Sequence, residues 1–313
     1  MTALAAKTEK PAEKKPAKSL WRRIWDYRVI YLMLLPTILY FVLFKCRTVW
    51  GMKLAFYDYR PRGEDVFAGW KFFQQVFSSP TFGTIIFNTI KINLMRTLLN
   101  WFFPVAFAIM QHEVQRKAFR KTVQVVSYLP HFLSWVVIYG IWASALQYNG
   151  LLNNLYDLFG AEYKNLLLRS DTIVGVIGAS SLWRNIGWDS IIYLAAILAI
   201  DTTLYDAATV DGASRWQIIR HIILPALVPT MATILILNCG YIMDAGVDQI
   251  LVFQNTAVQN KIEVLDTYVY RVGLLQGNYS FSSAAGLFKS AVGLVFVVAA
   301  RTASRSLTQS GGR

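Results

Sequence analysis

Six long apolar blocks recur along the chain, at residues 29–44, 84–110, 122–146, 173–200, 226–247 and 283–300. A helix needs ~20 predominantly apolar residues to cross a bilayer, so each block predicts one membrane-spanning helix. Tyr27 and Trp50 flank the first block, where amphipathic rings favour the headgroup layer. Few polar residues interrupt the blocks: Lys91 and Arg96 in the second, Pro130 and His131 in the third, Arg184 and Asp189 in the fourth, Asp244 in the fifth and Lys289 in the sixth. The pattern predicts an all-α polytopic membrane protein with six transmembrane helices. It divides into a basic N-terminal segment at 1–28, a six-span domain at 29–300 with a polar loop at 201–225, and a short tail at 301–313.

Composition agrees with the pattern. Hydrophobic residues make up 55% of the chain and Asp, Glu, Lys and Arg only 16%, against about 25% charged in a soluble domain. The formal charge of +13 would suggest nucleic acid in a soluble protein, but its distribution points elsewhere. Segments 1–28, 111–121, 201–225 and 301–313 together carry a net charge of +10, whereas 45–83, 147–172 and 248–282 carry +1 and the spans +2. Excess Lys and Arg beside span ends marks the cytoplasmic side, which places both termini and the 201–225 loop in the cytoplasm. The basic start (Lys7, Lys10, Lys14, Lys15, Lys18, Arg22, Arg23) runs into Trp21 and Trp25 and suits a short interfacial helix. The first apolar run is too long for a cleaved signal-peptide core, so an uncleaved start is expected. The cluster Arg116, Lys117, Arg120 and Lys121 is read as a further topology signal, with contact to lipid or to an ATPase as a secondary role.

Several chemistries are excluded. Cys46 and Cys239 show no CxxC spacing, His112, His131 and His221 form no HExxH pattern, and no Gly is followed by Lys, so there is no Walker A loop. The chain is expected to bind no metal and to hydrolyse no nucleotide itself.

The stretch AIDTTLYDAATVDGASRWQIIRHIILPALVP carries the chemistry. Asp201, Thr202 and Thr203 can cap a helix start, residues 204–210 suit one or two turns, and Gly212 can end them in a left-handed conformation. Ala207 and Ala208 leave a small-residue patch with Asp206 beside it. A second helix then restarts at Arg215 and meets Pro225, a residue tolerated in a first helical turn. Such a short helix lying along the membrane has the form of a docking peg.

Asp206-Ala207-Ala208, Gly212 and Ile222, Leu224 and Pro225 match the signature E-A-A-x3-G-x9-I-x-L-P of permease subunits of bacterial ABC importers, with Asp for the usual Glu. The chain resembles that family over nearly its whole length. SYLPHFLSWVVIYG and YSFSSAAGLF are similar to segments of oligo- and polysaccharide permeases, the alginate-type importer among them. The resemblance implies the type I importer permease fold and a non-catalytic subunit that moves carbohydrate by alternating access. Tyr205, Asp206, Ala207, Ala208, Asp211, Gly212, Ala213, Ile222, Leu224 and Pro225 would contact a separate ATPase. It also implies a second, homologous permease subunit, two nucleotide-binding ATPase subunits that hold ATP and Mg, and an extracytoplasmic solute-binding protein. The shorter carboxylate of Asp206 keeps the charge but reaches one methylene less far.

Ionisable groups at membrane depth are costly and are read as facing a cavity or a partner. Counted inward at ~1.5 Å per residue, Lys91, Arg184 and Lys289 fall ~10–17 Å deep. These three cations are expected to line a path for an anionic or heavily hydroxylated sugar, with Asn88, Trp183 and Trp188 as wall residues and Asp189 and Asp244 alongside. The competing structural reading pairs the cations with Asp189, Asp244 or a partner subunit. Gly175, Gly178 and Ala179, and Ser283, Ala284, Ala285 and Gly286, suit close helix packing. The rival functional class is a self-sufficient secondary transporter or channel, although no internal repeat of the inverted kind relates 29–146 to 173–300. A membrane-embedded enzyme lacks clustered His, Cys or paired carboxylates to support it.

Overall fold

A computed structural model of the chain describes residues 25–158 and 165–310, so the basic segment expected before Trp25 lies outside the described residues. The chain divides into two compact units, residues 1–53 and 54–313. The first unit holds nearly all of α1 (Arg28–Phe56), a rod with one π-helical turn at Phe41–Cys46 and no buried residue between Arg28 and Gly51. Leu32 and Met33, 70% and 74% exposed, show why it suits lipid: the helix is apolar on every side.

The second unit opens with a two-stranded antiparallel ribbon, β1 (Tyr57–Asp58) and β2 (Val66–Phe67), in which Tyr57 faces Phe67. It continues through α2 (Lys71–Ser78), α3 (Phe82–Glu113), α4 (Lys117–Tyr128), α5 (Trp135–Leu146), α6 (Leu151–Leu158) and α7 (Ile173–Leu198). After these come α8 (Thr202–Val210), α9 (Arg215–Cys239), α10 (Val247–Phe253), α11 (Gln259–Ile262), α12 (Leu265–Tyr270) and α13 (Tyr279–Ser310). Among the described residues, four helices are long and apolar enough to cross a membrane, or up to six if two bent pairs each form one span.

The long helices α3 and α7 form the spine of this unit. Three apolar clusters pack along them. Phe72, Ile85, Leu265 and Phe281 fill the end next to the ribbon, Ile92, Ile177, Ile250 and Phe253 the middle, and Val105, Tyr193, Ile223 and Leu227 the end next to α8. Gly187 lets α4 and α7 touch, because a Cβ there would stand 2.3 Å from the Ser127 carbonyl oxygen. A backbone clash cannot be relieved by a rotamer change. Gly187→Val should therefore sharply lower the yield of folded protein, read as the monodisperse peak of detergent-extracted chain, whereas Gly175→Ala, with nothing within 4 Å of the added carbon, should not. Gly178 is intermediate, since the neighbour it would meet is the flexible tip of Met95.

Four boundaries differ from those predicted by hydropathy. The third block is a broken pair: Lys117–Phe132 and Trp135–Asn154 meet at 109°. The first helix tightens to a 3-10 turn at Leu129–Phe132, where Pro130 sits in a tolerated first-turn position, and the chain becomes extended at Leu133 and Ser134; Ser134 restarts the helix by accepting a hydrogen bond from the Val137 amide. The fifth block ends early, because the helix stops at Cys239 and residues 240–246 form turns, with Gly246 at φ +72°. The fifth helix also starts early, running unbroken from Arg215 through Pro225. A π-helical turn at Ile219–Ile223 shifts the bonding register just before the proline, the Leu224 amide donating to the Ile219 carbonyl five residues back. At the far end α13 continues past Ala300 to Ser310, so helix replaces most of the expected tail.

Residues 248–282, expected as an outer loop, are largely helical and partly buried. Asn88 Nδ2 donates to the carbonyls of Asn260 (3.0 Å) and Glu263 (3.2 Å), and the Leu265 amide donates to Thr89 Oγ1 (2.8 Å). Polar residues of α3 thus satisfy the backbone of a segment folded back against it, as buried backbone groups require.

Candidate functional site

The 201–225 stretch forms a peg with closed ends. Asp201 caps α8 by accepting from the Thr203 amide at 2.9 Å, and that bond holds its carboxyl below the usual range. At the other end Gly212, at φ +74°, donates its amide to the Thr209 carbonyl (3.1 Å) and the Ala213 amide donates to the Ala208 carbonyl (2.9 Å). These are the two bonds of a Schellman motif. Ser214 then opens α9 through a reciprocal capping box with Gln217. The peg's outer face is bare: Asp206, Ala207 and Asp211 are exposed, and Val210 is 87% exposed.

Tyr205 ties α8 to the bundle. Its ring packs on the cluster containing Val105, Ile197 and Ile223, 6.1 Å from the His112 ring. Burial, then the charge of Glu113, pushes its hydroxyl above the usual tyrosine range. Glu113 pairs with Arg215 at 3.6 Å, so the end of α3 and the start of α9 bracket the peg. Ala208, Asp211, Gly212, Ala213, Ile218 and Ile222 line a shallow cleft of about 310 Å³ between α8 and α9. Within the signature, Ile222 and Leu224 are half-buried and Pro225 exposed. The variable position, Ile223, is fully buried and anchors the helix.

A second cavity, about 360 Å³, lies between α3, α7 and the end of α9. Asn93, Arg96, Thr97 and Asn100 of α3 face Asn185, Asp189 and Tyr193 of α7 and Asn238, Tyr241 and Asp244 of the α9 end. Arg96 donates to the Ala245 carbonyl and to Ser181 Oγ (3.3 Å), and Asn100 Nδ2 donates to the same hydroxyl at 3.1 Å. The buried Asn100 Oδ1 and Tyr193 hydroxyl have no protein partner among the described residues. Buried polar atoms of this kind normally find a partner, and both could accept from a hydroxyl group entering the cavity.

The expected path residues separate. Asp189 and Asp244 line this cavity, but Asn88, Lys91, Trp183, Arg184, Trp188 and Lys289 do not. Asn88 is committed to the folded-back segment, as described. Lys91 is exposed. Trp183 meets Trp142 edge-on, and Trp188 stacks on His131 at 4.5 Å. Lys289 is held between acids, Asp266 in direct contact and Asp244 at 3.6 Å, as the pairing alternative anticipates. Hydropathy drew attention to charges and so picked out Arg96 but passed over the polar stripe it belongs to. That stripe was legible in principle: Asn93, Arg96, Thr97 and Asn100 follow the i, i+3, i+4, i+7 spacing of one helical face.

Residues 100–309 match the family described as the binding-protein-dependent transport system inner membrane component. The chain belongs to this family. The permease is 36% identical, over 96% of its length and 94% of the relative, to the polygalacturonan/rhamnogalacturonan transport system permease protein YteP of Bacillus subtilis (strain 168). Protein LplB of the same organism is 33% identical over 90% of each chain. In solved structures it resembles a chain in the crystal structure of a bacterial alginate ABC transporter in complex with an alginate pentasaccharide-bound periplasmic protein. There the TM-score is 0.85 at 36% identity, covering 93% of this chain and 99% of the other. The permease thus has the all-α ABC importer fold and is an inner-membrane component; the reading as a self-sufficient transporter or channel is withdrawn.

Proposed function

We propose that this permease is one half of the translocation pathway of an ATP-driven importer for oligo- or polysaccharides containing uronic acids, working by alternating access. The observation that carries the reading is the α8 peg: a capped, exposed helix joined to the core through Tyr205 and continuous in sequence with the long helix α9. It would seat in a cleft of a nucleotide-binding subunit. ATP and Mg would be held there and not by this chain. A second, homologous permease would complete the pathway, two copies of the ATPase would drive it, and an extracytoplasmic binding protein would deliver the sugar. Both termini and the peg would face the cytoplasm, consistent with the charge distribution. YteP and the alginate transporter, which handle acidic polysaccharides by their names, support that substrate class.

The cavity between α3 and α7 is the proposed polar section of the path. Its four asparagine amides suit hydroxyls, and Arg96 is offset by Asp189 and Asp244, so the cavity lacks the cationic character expected from the sequence. Asn238→Leu should reduce uptake about two- to tenfold, the effect of one neutral hydrogen bond, with assembly unchanged in a pull-down.

Co-expression with the companion permease and ATPase, followed by detergent extraction, tests the reading as a whole. Stoichiometric ATPase should be retained, and in proteoliposomes binding protein loaded with a uronate oligosaccharide should stimulate its hydrolysis. An extract that keeps no ATPase, or hydrolysis indifferent to loaded binding protein, would sink the proposal.

A further inference from the structure

We infer that Arg184 selects acidic over neutral sugars by receiving a substrate carboxylate; the inference rests on the importer reading and adds a specificity-determining residue to it. The cations at membrane depth differ in how they are compensated. Lys289 lies between Asp266 and Asp244. Arg96 shares its cavity with Asp189 and Asp244 and donates to the Ala245 carbonyl. Arg184, by contrast, forms no ion pair among the described residues, and Asp189 of the same helix acts on it only through space. One of its Nη2 hydrogens goes to the His131 carbonyl at 3.0 Å, and its buried Nε has no partner among those residues.

A guanidinium carries five N–H donors in a planar fork, and a neutral carbonyl neither balances its charge nor fills that fork. Asp189 and Asp248 act on Arg184 only at a distance, and a guanidinium at membrane depth without a carboxylate in contact is costly, which marks it as functional. Its setting is shaped to receive an anion. The guanidinium lies 5.0 Å from the centre of the Trp135 ring, a cation–π placement that fixes its plane. It faces a cavity of about 350 Å³, separate from the asparagine-lined one, with Ser134, Trp135, Asp248 and Leu251 in its walls. The restart of the chain after Pro130 builds this cavity, since the 109° turn between α4 and α5 brings Ser134 and Trp135 alongside Arg184. A carboxylate could accept two hydrogen bonds from the fork, the arrangement arginine favours, while a sugar ring rests against the exposed apolar wall. Asp248, which lines the same cavity, disfavours a second negative charge there and so favours isolated carboxylates over polyanionic clusters.

The test uses the assembled transporter in proteoliposomes, given a uronate oligosaccharide and its carboxyl-reduced counterpart of equal length. In the unaltered protein the acidic sugar should be taken up with the higher kcat/KM. Arg184→Gln should lower the acidic-to-neutral ratio about tenfold or more, the scale of a lost charge-assisted hydrogen bond. Arg184→Lys, which keeps the charge but not the fork, should fall between. Equal losses on both sugars would assign Arg184 to folding and overturn the inference, as would an unchanged ratio in both variants. If the Gln variant fails to assemble, the Lys variant decides by the same ratio. Were the unaltered transporter to take up both sugars alike, only the role of Arg184 would fall. Were it to take up neither, with hydrolysis indifferent to loaded binding protein, the importer reading itself would fall.

Discussion

Removal of residues 204–212 should abolish both retention of the ATPase and ATP-dependent uptake, while the shortened chain still enters the membrane and extracts as a folded protein. The segregation follows from the packing. Apart from the half-buried Tyr205 and Ala208, the deleted residues are exposed, so the bundle loses little apolar burial, yet the whole docking face disappears. Co-purified ATPase measured against extracted permease reads the first effect, and sugar accumulation in vesicles the second. A milder version is Gly212→Val. Gly212 adopts φ +74°, and a side chain in that region costs about 1–2 kcal/mol, most for a β-branched residue. The end of α8 should therefore fray, giving a graded loss of coupling. Uptake that survived the deletion, with no ATPase bound, would show that the pathway does not need the peg.

Lys289→Met should destabilise the fold by about 3 kcal/mol, near the lower end of what breaking a buried ion pair costs. The cation sits between two acids, and Asp266, the closer, has only 15% of its side chain exposed. Burial already pushes the Asp266 carboxyl above its usual range, an effect that Lys289 opposes. Without the lysine that group should take up a proton more readily. The sign follows: the variant's loss of stability should be greatest at high pH, where Asp266 is charged and unpaired, and should shrink as pH falls. Thermal unfolding in detergent across pH reads this directly. Lys289→Met combined with Asp266→Leu should recover most of the loss, because removing both partners leaves no orphaned charge. A single variant as stable as the parent at every pH would mean that Lys289 is compensated by something other than these acids.

Which parts of the molecule could be read from residues alone depended on how local their causes are. The peg was legible because each of its determinants acts within a few residues: Asp201 caps its own helix, Gly212 ends it, and Ser214 and Gln217 begin the next. Spans were legible as apolar blocks for the same reason. The turn at residues 240–246 was hidden, because Tyr241, Ile242 and Met243 are as apolar as the helix before them and hydropathy does not register a change of backbone conformation. The partner of Lys289 was hidden for a different reason. Asp266 lies in a segment counted as an outer loop, and only the folding back of that segment, held by Asn88 and Thr89, brings the acid to the lysine. The π turn just before Pro225 was hidden too, since no propensity of the proline itself announces a register shift.

That register shift at Ile219–Ile223 makes the peg's bearing on α9 a matter of residue number. A π turn holds one residue more than the α-helical register would, and one residue of an α-helix corresponds to about 100° of rotation. Excising a single residue from 219–222 should relax the turn to plain α-helix without disturbing the buried Ile223 and Leu227 below it. The start of α9 would then swing by roughly a quarter of a revolution against the peg that Tyr205 holds on the bundle, breaking the Glu113–Arg215 pair and reshaping the cleft between α8 and α9. Homologous permeases should therefore tolerate substitutions in this turn far better than a change in its length, because composition there sets only affinity, while length sets the azimuth at which α9 meets the peg.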